Sequence, residues 1–240
     1  MGKVVAIASG KGGTGKSTVT AFLARALSEQ GRSTLVVEAD FGLRSLDLLL
    51  GVTQHSLYDC ADVLEQRCRI SEAAVPVGKM GLWLLSGSND PDFVPDARQW
   101  NSFLQLCRRC YDYTLVDLPG GLGAMVRQSC AAADLTLAVV TPDPVSVRDC
   151  AQLSRVLLQN GVESQKIIIN QVPKKLKGAF GDLVEVLDGT GIMLQGGVPF
   201  SEELQAAALA GRPLLPGKEQ TAFSNIAARL CGQTRPLAFR

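Results

Sequence analysis

Nine residues near the start of the chain constrain its fold more than any other feature. Gly10-Lys11-Gly12-Gly13-Thr14-Gly15-Lys16-Ser17-Thr18 follows an apolar run, Val4 to Ser9, and opens an amphipathic stretch, Gly15 to Glu29. The spacing is Gly, four residues, Gly-Lys-Ser, the pattern of a phosphate-cradling loop between a strand and a helix. Glycines let the backbone turn tightly and aim successive N–H groups at one centre. The following helix adds its free N-terminal N–H groups and the positive end of its dipole. Lys16 supplies a point charge for β- and γ-phosphates, and the Ser17 hydroxyl is an oxygen ligand suited to magnesium. Gly10 through Thr18 are therefore the expected binding residues of a nucleoside triphosphate, ATP with magnesium.

The rest of the chain repeats this strand-then-helix rhythm. Strand-like runs occupy Val4 to Ser9, Thr34 to Glu38, Gly81 to Ser86, Tyr113 to Asp117, Leu135 to Thr141, Lys166 to Asn170 and Ile192 to Val198. Several are unbroken Val/Ile/Leu runs, as expected of strands covered on both faces. Helical patterns fall at Gly15 to Glu29, Ala97 to Cys110, Met125 to Ala133, Ser146 to Asn160, Ala179 to Leu187, Ser201 to Leu209 and Gln220 to Leu230. The rhythm predicts an α/β fold, a mostly parallel twisted sheet with helices on both faces. No linker, repeat or low-complexity tract divides the 240 residues, so one P-loop NTPase domain over 1–240 is expected. Ser88 to Asp96 and Pro173 to Gly178, the latter carrying Lys174, Lys175 and Lys177, read as loops.

Composition narrows the partners and the compartment. The formal net charge is +1, so no global field draws the chain to nucleic acid, and nucleic acid is not an expected partner. The seven cysteines are an odd number in a chain too long to need disulfide staples, which points to the reducing cytoplasm. No apolar run reaches the roughly 20 residues that span a bilayer. His55 is the sole histidine, so no metal site built on two imidazoles exists within one chain. Cys107 and Cys110 form a C-x-x-C inside a helical pattern, where free cysteines usually act as small hydrophobes.

Two acids complete the expected site. Asp40 lies just past the second strand, at the sheet edge where ligands of open α/β folds bind. A carboxylate there can orient water and join the magnesium shell. Asp117 ends a buried strand and precedes Leu118-Pro119-Gly120-Gly121. It is expected to hold magnesium through the metal's water shell, with the Gly121 N–H offered to the γ-phosphate. Asn170 ends another strand, and its amide carries both a donor and an acceptor for a base edge.

Lys11 is not required by the phosphate-loop pattern. With it, Lys-Gly-Gly-Thr-Gly-Lys-Ser resembles the deviant loop of the MinD/ParA family of ATPases. Asp40-Phe41-Gly42-Leu43-Arg44-Ser45-Leu46-Asp47-Leu48-Leu49-Leu50-Gly51 is similar to the switch I segment of that family. Tyr58-Asp59-Cys60-Ala61-Asp62-Val63-Leu64-Glu65 and Cys68-Arg69-Ile70 extend the likeness, which runs from Val4 to Phe239 and is strongest toward the septum-site branch. The resemblance implies a homodimer in the ATP state, reset by slow, partner-stimulated hydrolysis. It makes Lys11 the lysine that reaches the partner's ATP, Asp40 the catalytic aspartate, Asn170 a base contact, and Gly197-Val198-Pro199-Phe200 the purine-lining segment with Pro199 in it. Glu38 stands where the family usually has another aspartate.

The resemblance also implies a MinC-like division inhibitor and a MinE-like activator as partners, and a cytoplasmic protein that works at the inner face of the membrane. The basic amphipathic tail helix of such proteins has no counterpart in Thr234 to Arg240, which Pro236 interrupts. A ParA-like DNA- or cargo-positioning ATPase, a flagellar-number ATPase and a metal-cluster carrier using Cys107 and Cys110 are the alternatives.

Overall fold

Alternating apolar positions sort the strands' side chains onto two faces of one sheet. The computed structural model describes residues 1–42, 44–52, 56–79, 81–90, 92–175 and 180–237. Leu43, His55, Lys177, Gly178, Ala179 and Ala238 to Arg240, which carry parts of the expectations above, lie outside them. The sheet comprises β1 (Lys3–Ala8), β2 (Thr34–Glu38), β3 (Val75–Pro76), β4 (Leu82–Leu85), β5 (Tyr113–Asp117), β6 (Leu135–Val140), β7 (Gln165–Val172) and β8 (Leu194–Pro199). Their order is β3-β4-β2-β5-β1-β6-β7-β8. Every neighbouring pair is parallel except the edge pair β3–β4.

β1 lies between β5 and β6, with β2 beyond β5. The chain therefore leaves β1 toward one side of the sheet and returns later to build the other. That reversal opens a crevice at the C-terminal end of β1, the usual ligand position in such sheets.

Val5, Ile7, Val36, Leu115 and Val139 face α1 (Lys16–Glu29) and α10 (Lys218–Leu230) in one core cluster. There Phe22 of α1 meets Phe223 of α10 at 5.7 Å between ring centroids. Val4, Ala6, Leu35, Val37 and Val116, at the intervening positions, face α5 (Ala97–Cys110), α6 (Ala124–Ala132) and α7 (Pro144–Gln159) in the other cluster. The period of two puts successive side chains on opposite faces, so unbroken apolar runs are what a sheet covered on both sides requires.

The structure adds short elements that the sequence patterns do not announce: α2 (Leu46–Leu49), α3 (Cys60–Leu64), α4 (Ile70–Ala73) and β3. Each is too short to display a period. β3 is antiparallel to β4, and Pro76 sits in it opposite Trp83. The helix expected over 179–187 is instead α8 (Leu183–Thr190). Asp182 caps it by accepting from the Val184 and Glu185 N–H groups, and Gly191, at φ 68°, ends it. α9 (Glu202–Leu209) begins one residue inside its expected start because Ser201 is its N-cap. No helix among the described residues is long and apolar enough to cross a membrane.

Candidate active site

The phosphate loop leaves β1 and enters α1 through Gly15, which has φ 80°. A Cβ at Gly15 would come within 2.3 Å of Asn170 Nδ2, so the position excludes a side chain for steric reasons as well as conformational ones. α1 has no side-chain N-cap, which leaves its first N–H groups available to an anion.

Beneath the loop, three side chains of α1 meet one carboxylate. Lys16 Nζ lies 3.0 Å from Asp117 Oδ2. Ser17 Oγ donates to the same oxygen at 2.7 Å, and Thr20 Oγ1 donates to Oδ1 at 2.8 Å. Asp117 reaches this point because β5 lies beside both β1 and β2, in register with Ile7 and Glu38. Thr20 is a site residue that sequence reasoning missed. Its position four residues after Lys16 places it on the same helix face, and that spacing was the available signal.

Above the loop lies a cavity of about 740 Å³. The loop residues Gly12 to Thr18 form its floor, with Asp40, Ser45, Leu48 and Leu49 from the β2–α2 side and Gln205, Ala208 and Leu209 from α9. A smaller cleft of about 100 Å³ shares Gly15 and Thr18 with it and is lined by Asn170, Gln171, Pro199 and Phe200. Together they give a pocket over the loop, with Leu48, Leu49, Ala208 and Leu209 on its apolar side, and a narrower slot beside it; the larger is within the size range of small-molecule sites.

Other expected site residues are placed differently. Lys11 does not line the cavity; its Nζ is 3.1 Å from Asp143 Oδ1, at the N-terminus of α7. Gly10 packs on α7, where an added Cβ would lie 2.3 Å from the Asp149 carbonyl oxygen. The Gly121 N–H, expected to serve a γ-phosphate, donates instead to the Ser9 carbonyl at 2.9 Å. Gly120 is the glycine of that turn lining the cavity. Asn170, expected to use both halves of its amide on a base, is 2% exposed and commits Nδ2 to the Thr14 carbonyl at 2.8 Å. Its position under Gly15 makes it a strut of the loop.

Two buried oxygens lack a partner at this site: Asn170 Oδ1 and Thr14 Oγ1. Buried polar atoms are rarely left unpaired, and an acceptor beside the slot suits a ligand that brings an N–H donor. Ser17 and Asp40 line the cavity with hard oxygens, and Asp117, buried behind Ser17, can act through water, the donor set magnesium takes when phosphate and water complete its shell. The residues thus fit the group.

Burial pushes the Asp40 carboxyl above its ordinary range; Lys16 opposes the shift and Asp117 adds to it. Burial likewise raises Glu38, against hydrogen bonds from the Ser45, Leu46 and Gly87 N–H groups. Ser45 and Leu46 reach its Oε1 at 2.7 and 3.1 Å. The extra methylene of Glu38 thus carries its carboxylate to the start of α2.

Cys107 is buried in the core and Cys110 is exposed. Burial pushes the Cys107 thiol up, away from the thiolate form a metal needs. Among the described residues, no group of three or more His, Cys, Asp or Glu side chains could hold a metal ion.

Comparisons with known proteins bear on this geometry. The ParA family, described as NUBPL iron-transfer P-loop NTPase, matches residues 1–233. The septum site-determining protein MinD of Synechocystis is 33% identical over 244 residues, covering 98% of this chain and 92% of that protein. The MinD chain in a MinC:MinD cell division protein complex from Aquifex aeolicus superposes with a TM-score of 0.88 at 32% identity, covering 98% of each chain. MinD complexed with Mg-ADP from Pyrococcus horikoshii superposes at 0.84 with 26% identity, covering 96% of each.

Proposed function

This chain belongs to the ParA/MinD family of P-loop ATPases, and from that premise we propose that it is a switch for division-site placement, dimeric with ATP, monomeric without it, and reset by slow hydrolysis. One observation carries the reading. Lys16, Ser17 and Thr20 converge on Asp117 directly under a loop whose N–H groups open onto a cavity of about 740 Å³.

In this reading the substrate's phosphates lie on the N–H groups of Gly12 to Thr18. Lys16 Nζ lies 3.0 Å from Asp117 and 3.4 Å from Ser17 Oγ and keeps its third donor for a phosphate oxygen. Ser17 and Asp40 would hold magnesium, with Asp117 behind Ser17 acting through its water shell, and the metal would neutralise charge on the phosphates. Asp40, on the cavity wall, orients the attacking water. The purine enters the slot between Asn170 and Pro199, where the unpaired Asn170 Oδ1 can accept from an amino group.

Lys11 gives the switch its logic. Its pairing with Asp143 is partly exposed on both sides, and such pairs contribute about 0–1 kcal/mol. Exchanging that contact for the partner's nucleotide therefore costs little. ATP then adds contacts available only in the dimer, so nucleotide state sets association. By kinship the dimer offers its surface to a MinC-like inhibitor and a MinE-like activator at the inner membrane face.

Size-exclusion chromatography of wild type and Lys11→Ala, with ADP and with ATP, tests the proposal. A dimer is expected only with ATP and only with Lys11 present. A wild-type monomer in both nucleotides removes the switch.

A further inference from the structure

Arg25 joins two helix ends that the reaction described above does not use. It projects from α1, the helix that begins with Lys16, and its Nη2 donates to the Leu50 carbonyl at 2.9 Å and to the Gly211 carbonyl at 3.0 Å. Leu50 is the C-cap of α2, and Gly211 follows Ala210, the C-cap of α9. Both acceptors are thus at helix C-termini, where carbonyls lose their internal partners and a cation is favoured.

The same two ends touch through their backbones. Gly51 and Gly211 both adopt left-handed conformations, at φ 60° and 59°. A Cβ on Gly51 would lie 2.3 Å from the Gly211 carbonyl oxygen, and one on Gly211 would lie 2.5 Å from the Leu48 carbonyl oxygen. Two helices are therefore knitted end to end under one guanidinium. Burial lowers the pKa of Arg25, and its Nε has no partner.

Those two helices are walls of the cavity. α2 contributes Leu48 and Leu49, next to Ser45 and Asp40, and its first N–H groups are held by Glu38. α9 contributes Gln205, Ala208 and Leu209 and starts just past the slot lined by Pro199 and Phe200. Neither wall is tied to the phosphate-loop helix by an ion pair among the described residues; Arg25 ties both to it at once.

We propose that Arg25 is a positioning residue for ATP hydrolysis: by clasping the ends of α2 and α9 to α1, it sets where Asp40 and the purine slot stand relative to the phosphate loop. This rests on the ATPase reading above and goes beyond it. Displacing a reacting group by a fraction of an ångström is enough to slow chemistry, so the clasp acts on turnover without touching substrate.

The test is single-turnover phosphate release and thermal melting for wild type, Arg25→Ala, Arg25→Lys, Gly211→Ala, the double variant Arg25→Ala/Gly211→Ala, and a control, Tyr113→Phe. Tyr113 donates to the Leu230 carbonyl at 3.0 Å, away from the cavity, so its variant reports lost stability alone. Arg25→Ala is expected to slow release by about tenfold. Arg25→Lys, which keeps the charge but not the guanidinium reach that brings Nη2 to both carbonyls, falls between it and wild type and covers the case in which the alanine variant does not fold. Gly211→Ala disturbs the same joint from the other side, so the double variant is no slower than the slower single one. Wild-type release in Arg25→Ala and Arg25→Lys, multiplicative effects in the double variant, or an equal loss in Tyr113→Phe would overturn the inference. A wild-type protein that releases no phosphate would instead sink the ATPase reading on which it rests.

Discussion

Two lysines of one loop meet two aspartates at nearly the same distance, and the resemblance ends there. Lys16 and Asp117, 3.0 Å apart, are 8% and 1% exposed in their side chains; Lys11 and Asp143, 3.1 Å apart, are 32% and 41% exposed. The first pair is enclosed, with Ser17 and Thr20 hydroxyls satisfying the carboxylate. The second is wetted, and Asp143 also accepts from Thr141 and from the Ser146 N–H that it caps. Equal geometry therefore hides unequal energetics, because removing one partner of an enclosed pair strands a charge while water replaces the partner of a wetted one. An anchor and a releasable arm follow from burial alone.

The contrast is sharpest in Lys16→Ala. Nucleotide affinity is expected to fall beyond calorimetric detection, and stability in urea by about 3–5 kcal/mol, since Asp117 remains buried and unpaired. Thr20→Val, nearly isosteric, removes one donor from the same carboxylate and should cost about 1–3 kcal/mol in the same urea assay. An unchanged midpoint would mean that Asp117 is less enclosed than the geometry indicates. Lys11→Ala should change stability by about 1 kcal/mol or less and leave ADP affinity near wild type. A loss equal to that of Lys16→Ala would erase the distinction between anchor and arm.

The smallest effect is the dependence of the outer pair on acid. Asp143 is held below its ordinary value: burial pushes it up, but the hydrogen bonds from Thr141, Ser146 and Lys11 together outweigh that. A depressed carboxyl contributes stability above its unfolded value, and that contribution disappears as pH falls through the folded one. Wild type should therefore lose slightly more stability than Asp143→Asn as pH drops below 3.8, the unshifted value for Asp143. Parallel melting curves for the two proteins across that range would show that the outer pair contributes nothing.

The residues of the anchor were legible in the sequence; their pairing and the arm's resting place were not. The loop announces itself because a local run of glycines, one lysine and one serine does the work, and Asp117 because a buried strand ends in an acid. Sheet class followed from unbroken apolar runs. The contact between Lys11 and Asp143 spans 132 positions, and that between Arg25 and Gly211 spans 186. Such pairings depend on strand order, which no local pattern encodes. α2, α3 and α4 escaped because four or five residues make little more than one helical turn. The Gly121 N–H and the donor half of the Asn170 amide were misjudged for another reason. Their residue types suit a ligand, but Ser9 and Thr14 carbonyls lie within reach and claim the donors first.

The two-residue strand at the margin of the sheet has a consequence for how copies of this chain can meet. Val75 and Val77 turn toward β4, with the Val77 N–H bonded to the Leu82 carbonyl, so the intervening Pro76 presents its nitrogen outward, where it has no hydrogen to offer. A stranger's strand arriving there finds a missing rung, and continued sheet growth into a fibre is discouraged on that flank.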